Sequence, residues 1–344
     1  MFKLANNLSK EDALKKLSQE TFTRRTLSFY RYVRISDPQV FRDQLYAEWM
    51  QLGVLGRIYV SQEGINAQIN VPEPQWEAFV QNLESHRELA SIPLKIAVEE
   101  SQYVESFYKL TIKLKKQIVA DGLAHDAYDI ENVGTHLNAE EFNKLAESED
   151  AIIVDMRNAY ESEIGHFEGA LCPDVDTFKD ELPAVRDALE DKKDKKLLLY
   201  CTGGIRCEKA SAYLKNEGFK DVNQLYGGII NYAHEVKQKG LESKFKGKNF
   251  VFDERRAERI TPDVLSQCHQ CGAASDEHVN CANEMCNLLF IQCAACAETF
   301  SRCCSEKCKT VAELPLEERL RLRKSGQTKP KMFFRKKRSE VATS

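Results

Sequence analysis

The chain has 344 residues, with 49 lysines and arginines against 53 acids, a net charge of −4 and 12 cysteines. That length allows two or three domains and a sizeable core. Mean hydropathy is −0.48 and no apolar run approaches the length of a membrane span. The start, Met1-Phe2-Lys3-Leu4-Ala5-Asn6-Asn7, lacks a signal-peptide pattern. No membrane span is expected, and the expected location is the cytoplasm, where disulfides are rare.

Residues 1–20 read as a polar leader. Residues 21–103 carry a β-α-β-β-α-β rhythm. Leu27 to Ile35 alternates as a strand. Asp37-Pro38 caps a helix with Phe41, Leu45 and Trp49 on one face. Val54 to Val60 is the next strand. The turn Glu63-Gly64-Ile65-Asn66 leads into a strand from Ala67 to Val71. Pro74 opens a second helix, and Pro93 to Val98 closes the unit as a strand. This order predicts a ferredoxin-like α+β sandwich. Residues 104–133 follow as a basic connector holding Lys109, Lys113, Lys115 and Lys116.

Over 134–242 strands and helices alternate, which predicts an α/β domain with a parallel sheet. Asn138 and Glu141 form a capping box. Strands are expected at Ile152–Val154, Leu197–Tyr200 and Val222–Leu225. The second of these leads into Cys201-Thr202-Gly203-Gly204-Ile205-Arg206-Cys207-Glu208-Lys209. A cysteine at a strand end, followed by Gly203-Gly204 and a helix start, predicts a nest of N–H groups around its sulfur. Arg206 adds positive charge at the rim. Such a loop lowers a thiol pKa and holds a thiolate or persulfide.

These residues resemble the Cys-x4-Arg loop of the rhodanese superfamily. Asp155-Met156-Arg157, Tyr160-Glu161 and Gly165-His166-Phe167-Glu168-Gly169-Ala170 extend the match. The resemblance implies that Cys201 and Arg206 are catalytic, with Asp155, Arg157, Gly203, Gly204 and Cys207 in support. Phosphatases on this fold use the longer Cys-x5-Arg loop, so phosphatase chemistry is disfavoured. Cys207 suits either of two roles: resolving an oxidised Cys201, or packing the helix.

Residues 243–265 read as a polar linker and 266–312 as a cysteine-rich module. Nine cysteines crowd between Cys268 and Cys308. Clustering of this kind in a reducing compartment points to metal. Two Cys-x2-Cys knuckles make one zinc site of Cys268, Cys271, Cys293 and Cys296. Cys281, Cys286, Cys308 and one of Cys303 or Cys304, with Cys304 preferred, make a second. His269 and His278 are alternative ligands, and an iron–sulfur cluster or disulfides are the competing readings. Residues 313–344 form a basic tail. From Arg319 to Arg338 it has ten lysines or arginines and no acid, and Phe333-Phe334 precedes Arg335-Lys336-Lys337-Arg338. Phosphate neutralisation with aromatic stacking suits RNA.

The whole layout resembles the rhodanese-related tRNA uridine hydroxylase family. The likeness rests on Glu63-Gly64-Ile65-Asn66, Lys116-Gln117-Ile118-Val119, the Cys201 to Lys209 segment, Val251-Phe252-Asp253-Glu254-Arg255 and Val279-Asn280-Cys281-Ala282-Asn283. It implies conversion of the wobble uridine, position 34 of tRNA, to 5-hydroxyuridine. It also implies molecular oxygen as co-substrate, the tRNA anticodon loop as partner, and Cys201 as the essential residue. No flavin or nicotinamide fingerprint is present. His86-Arg87-Glu88 and His166-Phe167-Glu168 are weak matches to half of an iron facial triad. Two routes stay open: Cys201 adds to C6 of uracil, or it carries a persulfide. The alternative function is a rhodanese-type sulfurtransferase or persulfide carrier.

Overall fold

In the first strand apolar and polar side chains alternate, and that alternation decides what each face of the first sheet meets. The computed structural model describes residues 9–99, 105–124 and 126–324. A short helix, α1 (Lys10–Leu17), precedes β1 (Arg24–Tyr32), α2 (Pro38–Gln51), β2 (Leu55–Ser61), β3 (Gly64–Pro72), α3 (Trp76–Ser85) and β4 (Lys95–Ile96). The strands lie antiparallel in the order β4-β1-β3-β2, the ferredoxin-like arrangement. Leu27, Phe29, Ile58, Ile65 and Ile69 pack with Trp49 and Phe79 in the core beneath α2 and α3. The other face turns Ser28, Tyr30, Arg57, Tyr59, Asn66 and Gln68 towards the rest of the protein.

Part of the expected connector is a fifth strand of this sheet. β5 (Leu110–Leu114) runs parallel to β2, with Leu110 and Ile112 buried and Lys113 exposed. Only two of its apolar side chains are buried, and Lys109, Lys113, Lys115 and Lys116 in and around it masked the alternation.

The second unit is doubly wound. β6 (Thr135–Leu137), α4 (Ala139–Ala146), β7 (Ala151–Asp155), α5 (Ala159–Ser162), β8 (Gly165–Phe167), α6 (Phe178–Ala188), β9 (Lys196–Tyr200), α7 (Ile205–Asn216), β10 (Asp221–Leu225) and α8 (Gly228–Lys239) follow in turn. The parallel sheet has the order β6-β10-β9-β7. One face packs Leu197 and Leu199 against α6 and α7, and the other packs Leu198 and Tyr200 around Phe167 with α4 and α8. The capping box of Asn138 and Glu141 forms as expected at α4.

The segment read as a linker is also structured. β11 (Phe245–Phe250) pairs with β8 and with β12 (Ala257–Arg259). Phe245 and Phe250 are buried, and Phe245 meets Phe167 at 5.4 Å between ring centroids. Three polar residues between those anchors hid the strand. The cysteine-rich module holds the hairpin β13 (His278–Asn280) and β14 (Leu289–Ile291), then α9 (Ala294–Thr299) and α10 (Glu306–Ala312); the segment read as a basic tail begins with a further helix, α11 (Leu316–Lys324). Arg335, Lys336, Lys337 and Arg338 lie outside the described residues. Among the described residues no helix is long and apolar enough to cross a membrane.

Buried polar contacts seat the first unit on the second. Lys209 of α7 is buried and pairs with Glu63 at 3.0 Å and Asp121 at 3.1 Å, and it donates to the Val119 carbonyl at 3.1 Å. The Tyr30 hydroxyl donates to Glu208 at 2.8 Å, and that of Tyr32 to the Ile205 carbonyl at 3.1 Å. Arg255 bridges Asp253 and Glu258, and Glu258 accepts from the Val98 N–H at 3.1 Å. Lys209→Met strands two carboxylates away from water. It is expected to cost about 3–5 kcal/mol of stability, read from the urea-unfolding midpoint. An unchanged midpoint would take the ion pair out of the junction.

Candidate active site and metal centres

The apolar strand β9 carries Cys201 into the protein, where its side chain is buried. The chain then turns through Thr202-Gly203-Gly204 into α7. Gly204 has φ +96°, and a β-carbon there would come within 2.8 Å of the Tyr30 hydroxyl. Its N–H donates to the Cys201 sulfur at 3.1 Å. The N–H groups of Arg206 and Cys207, in the first turn of α7, and the Cys207 thiol point at the same atom. Burial opposes the thiolate. The Cys207 thiol, the Arg206 charge and the backbone donors outweigh it and bring Cys201 down to about 6. Burial and the adjacent thiolate push Cys207 well above the usual thiol range.

Arg206 is largely buried beside the loop. Its guanidinium forks onto buried Glu161 at 2.7 and 2.8 Å, because an arginine this enclosed needs a bidentate carboxylate. Its charge lowers the Cys201 thiol pKa. Asp155 and Arg157 brace the strand ends. They form a buried two-point pair at 2.8 and 2.7 Å, Arg157 donates to the Gly165 carbonyl at 2.6 Å, and the Tyr200 hydroxyl donates to Asp155 at 2.7 Å. The residue before Cys201 is thereby locked. Glu181 of α6 is fully buried, and neither carboxyl oxygen has a hydrogen-bond partner among the described residues. Burial raises its pKa well above the usual carboxyl range, against the pull of Arg206.

Above the loop lies a cavity of about 320 Å³. Cys201, Thr202, Gly203 and Arg206 line its floor. Ser28, Tyr30, Tyr59 and Gln68, from the polar face of the first sheet, line its roof. Lys95 lies along its wall. The lysine stem passes over Gly203, and its ammonium sits 4.3 Å from the centroid of the Tyr30 ring. Among the described residues no carboxylate forms an ion pair with Lys95. Burial lowers its pKa to about 8, against the pull of Cys201 and Glu208. Sequence reasoning missed Lys95 and Tyr30, which no motif marks. It also missed Gly228, whose φ is +67°. A β-carbon there would stand 2.5 Å from the Cys201 carbonyl oxygen. The Tyr226-Gly227-Gly228 step between β10 and α8 was the legible signal. Ile229 donates to that same carbonyl at 3.0 Å.

The cysteine-rich module brings together Cys268, Cys271, Cys293 and Cys296, and separately Cys281, Cys286, Cys304 and Cys308. Within each group the sulfurs lie within 4.8 Å of one another. Cys271 and Cys293 are 3.6 Å apart, Cys286 and Cys304 3.7 Å, Cys304 and Cys308 3.6 Å. A metal in a thiolate tetrahedron with bonds of about 2.3 Å sets sulfurs about 3.8 Å apart, whereas a disulfide needs about 2.05 Å. Both groups fit a four-coordinate metal ion. Cys303 is buried against Leu288 and Phe290 instead. His269 and His278 belong to neither group; His269 pairs with Glu163 at 2.8 Å. His86 is tied to Glu48 at 2.6 Å and His166 to the Ser162 carbonyl at 2.9 Å, so both take structural partners.

Of the connector lysines, Lys109, Lys113, Lys115 and Lys116 are all exposed. Lys115 lies 5.2 Å from the centroid of the Tyr59 ring.

Residues 24–118 match the UPF0176 acylphosphatase like domain, residues 138–235 the rhodanese-like domain, and residues 246–309 the rhodanase C-terminal family. A tRNA uridine(34) hydroxylase of Leptospira interrogans is 57% identical over 97% of this chain and 90% of its own. One from Pectobacterium atrosepticum is 49% identical over 97% and 94%. Another from Yersinia enterocolitica is 47% identical over 99% and 97%.

The loop geometry carries its own test. Ultraviolet absorbance of the thiolate, taken as wild type minus Cys201→Ser, is expected to titrate with a midpoint near pH 6. A midpoint at or above the free-thiol value of about 8.5 would contradict the nest.

Proposed function

The chain belongs to the tRNA uridine(34) hydroxylase family, and from that premise we propose that it hydroxylates C5 of the wobble uridine, held in the cavity over Cys201. One observation supports this most: the floor of the cavity is an activated sulfur, while its roof is a polar sheet face from another domain. A carrier that only passes sulfur between small donors needs no such roof. A flat polar base offers carbonyl and N–H groups to match one. Anticodon-loop bases can be splayed out of their stack to enter.

In this reading Cys201 is the nucleophile. Its thiolate adds to C6 of uracil, and the electron pair moves through C5 to the O4 carbonyl as an enolate. The Lys95 ammonium faces the same space and supplies the charge that stabilises that oxygen. Molecular oxygen is the co-substrate. One atom becomes the C5 hydroxyl and the other leaves as water. C5 takes up dioxygen as a hydroperoxide, and loss of the C5 proton expels Cys201 from C6 and restores the C5–C6 double bond. The freed Cys201 thiolate takes the outer oxygen as a sulfenic acid and leaves the C5 hydroxyl; the Cys207 thiol then displaces water from it to close a disulfide, which an external thiol reopens. Uracil, dioxygen and two thiols thus balance against hydroxyuracil, water and one disulfide. Arg206 holds the thiolate charge, and Asp155, Arg157, Gly203 and Gly204 keep the loop in shape. Zinc fills both cysteine tetrads, where it contributes folding energy and takes no part in the reaction. The RNA is held by exposed lysines of the first sheet's edge and by the tail with Arg335 to Arg338.

Purified protein and undermodified tRNA, incubated in air and under anoxia, provide the test. Mass analysis of nucleosides is expected to show one added oxygen on uridine 34 in air only, and none with Cys201→Ser. A gain of sulfur, or thiosulfate-to-cyanide turnover with unchanged tRNA, would instead favour the sulfurtransferase. Elemental analysis is expected to give about two zinc ions per chain. Iron with visible absorption would overturn the zinc assignment.

A further inference from the structure

Beside the Cys201 cavity runs a second, more open groove of about 740 Å³. The edge of the first sheet forms one wall, with Arg57 of β2 and Lys109 and Lys113 at β5. Arg256 and Phe252, from the segment between β11 and β12, form its base. The far wall belongs to the cysteine-rich module, through Asn280 and Asn287. Arg57, Phe107, Val251, Phe252 and Asp253 line both groove and cavity, so one opens into the other.

Charge in this groove is unbalanced. Its two acids are already paired: Asp253 with Arg255 at 2.6 Å and Glu254 with Lys10 at 2.7 Å. Arg57, Lys109, Lys113 and Arg256 have no carboxylate ion pair among the described residues. On the opposite flank of the cavity lies a larger cleft of about 940 Å³. There the buried cation Lys209 is cancelled by Glu63 and Asp121, and the remaining acids Glu131 and Glu208 offset Arg31, Arg34 and Lys95, so four cations face four acids and no excess of positive charge is left. Phosphates therefore favour the first groove. Its aromatic base, Tyr160 and Phe252, offers rings to unstacked bases beside that phosphate path.

We propose that the groove between the sheet edge and the cysteine-rich module holds the sugar–phosphate strand next to the target nucleotide. Arg57, Lys109, Lys113 and Arg256 neutralise its phosphates, and the single-stranded RNA turns at Phe252 to place one base over Cys201. This rests on the tRNA reading above and adds the path the RNA takes. The cysteine-rich module then has a direct part in binding, since its metal-held fold supplies one wall of the RNA site.

The test is binding of an anticodon stem-loop RNA to the full chain by fluorescence anisotropy across a salt series. In the Lys109→Glu, Lys113→Glu double variant, affinity at moderate salt is expected to fall by about tenfold or more. The log–log salt slope should become shallower by about 0.7 for each lost single-strand contact. Arg256→Glu should act in the same direction. Lys220→Glu, at the start of β10 and so at the end of the sheet away from the loop, should bind like wild type. The Cys201 thiolate titration checks that each variant is folded. If wild type binds RNA and the groove variants keep its affinity and slope, the groove assignment is wrong and the tRNA reading stands. If the loss follows Arg34→Glu in the opposite cleft instead, the path is on the other flank. If wild type does not bind the RNA at all, the tRNA reading itself falls.

Discussion

A sulfur anion buried in protein is unstable by several kcal/mol unless fixed dipoles and charges replace the water it has lost. Most of the second domain is organised around that requirement at Cys201. The N–H donors come from a turn that only exists because Gly204 tolerates a left-handed backbone. The turn keeps its place because Gly228 lets α8 press against the Cys201 carbonyl. Arg206 supplies charge, and Glu161 in turn holds Arg206. Behind the strand, Arg157, Asp155 and Tyr200 fix where the cysteine begins. Each element exists to keep the next one in position, and the last of them is the sulfur.

The junction between the first two domains uses the same chemistry for a different end. Lys209, Glu63 and Asp121 form a buried triad, and buried ion pairs are poor sources of net stability. They are exacting about geometry, however, since any displacement leaves a charge unpaired. Glu258 shows the same tension: burial lifts it to about 7 even with Arg255 beside it. These contacts set the first sheet at a fixed height above the loop, which a greasy interface free to slide does not do.

The sequence was legible where function is local. The Cys201 to Arg206 spacing, the two cysteine tetrads and the ferredoxin-like strand order all depend on short-range pattern, and all were read from it. Cys303 and Cys304 were ambiguous because adjacent residues share one spacing. Only the fold turns one inward to Leu288 and the other towards Cys308. The carboxylate that holds Arg206, Glu161, was not legible because it sits 45 positions away. Lys95 was invisible for the same reason: its significance arises from a cavity made by two domains. The strands β5 and β11 were missed because lysines and asparagine dilute their alternation, and pairing partners decide them.

Roof and floor of the reaction space are encoded in separate stretches of chain, joined only by the junction. The floor determines how reactive the sulfur is. The roof, through the outward side chains of β1, β2 and β3, determines what shape can lie against it. Apart from Tyr30 and Tyr32, which hold the junction, side chains such as Ser28, Tyr59 and Gln68 lie outside the core under α2 and α3, so they can be exchanged with little effect on folding. Selection can therefore revise the choice of substrate by changing a few surface positions on one domain while the chemistry of the other is inherited intact.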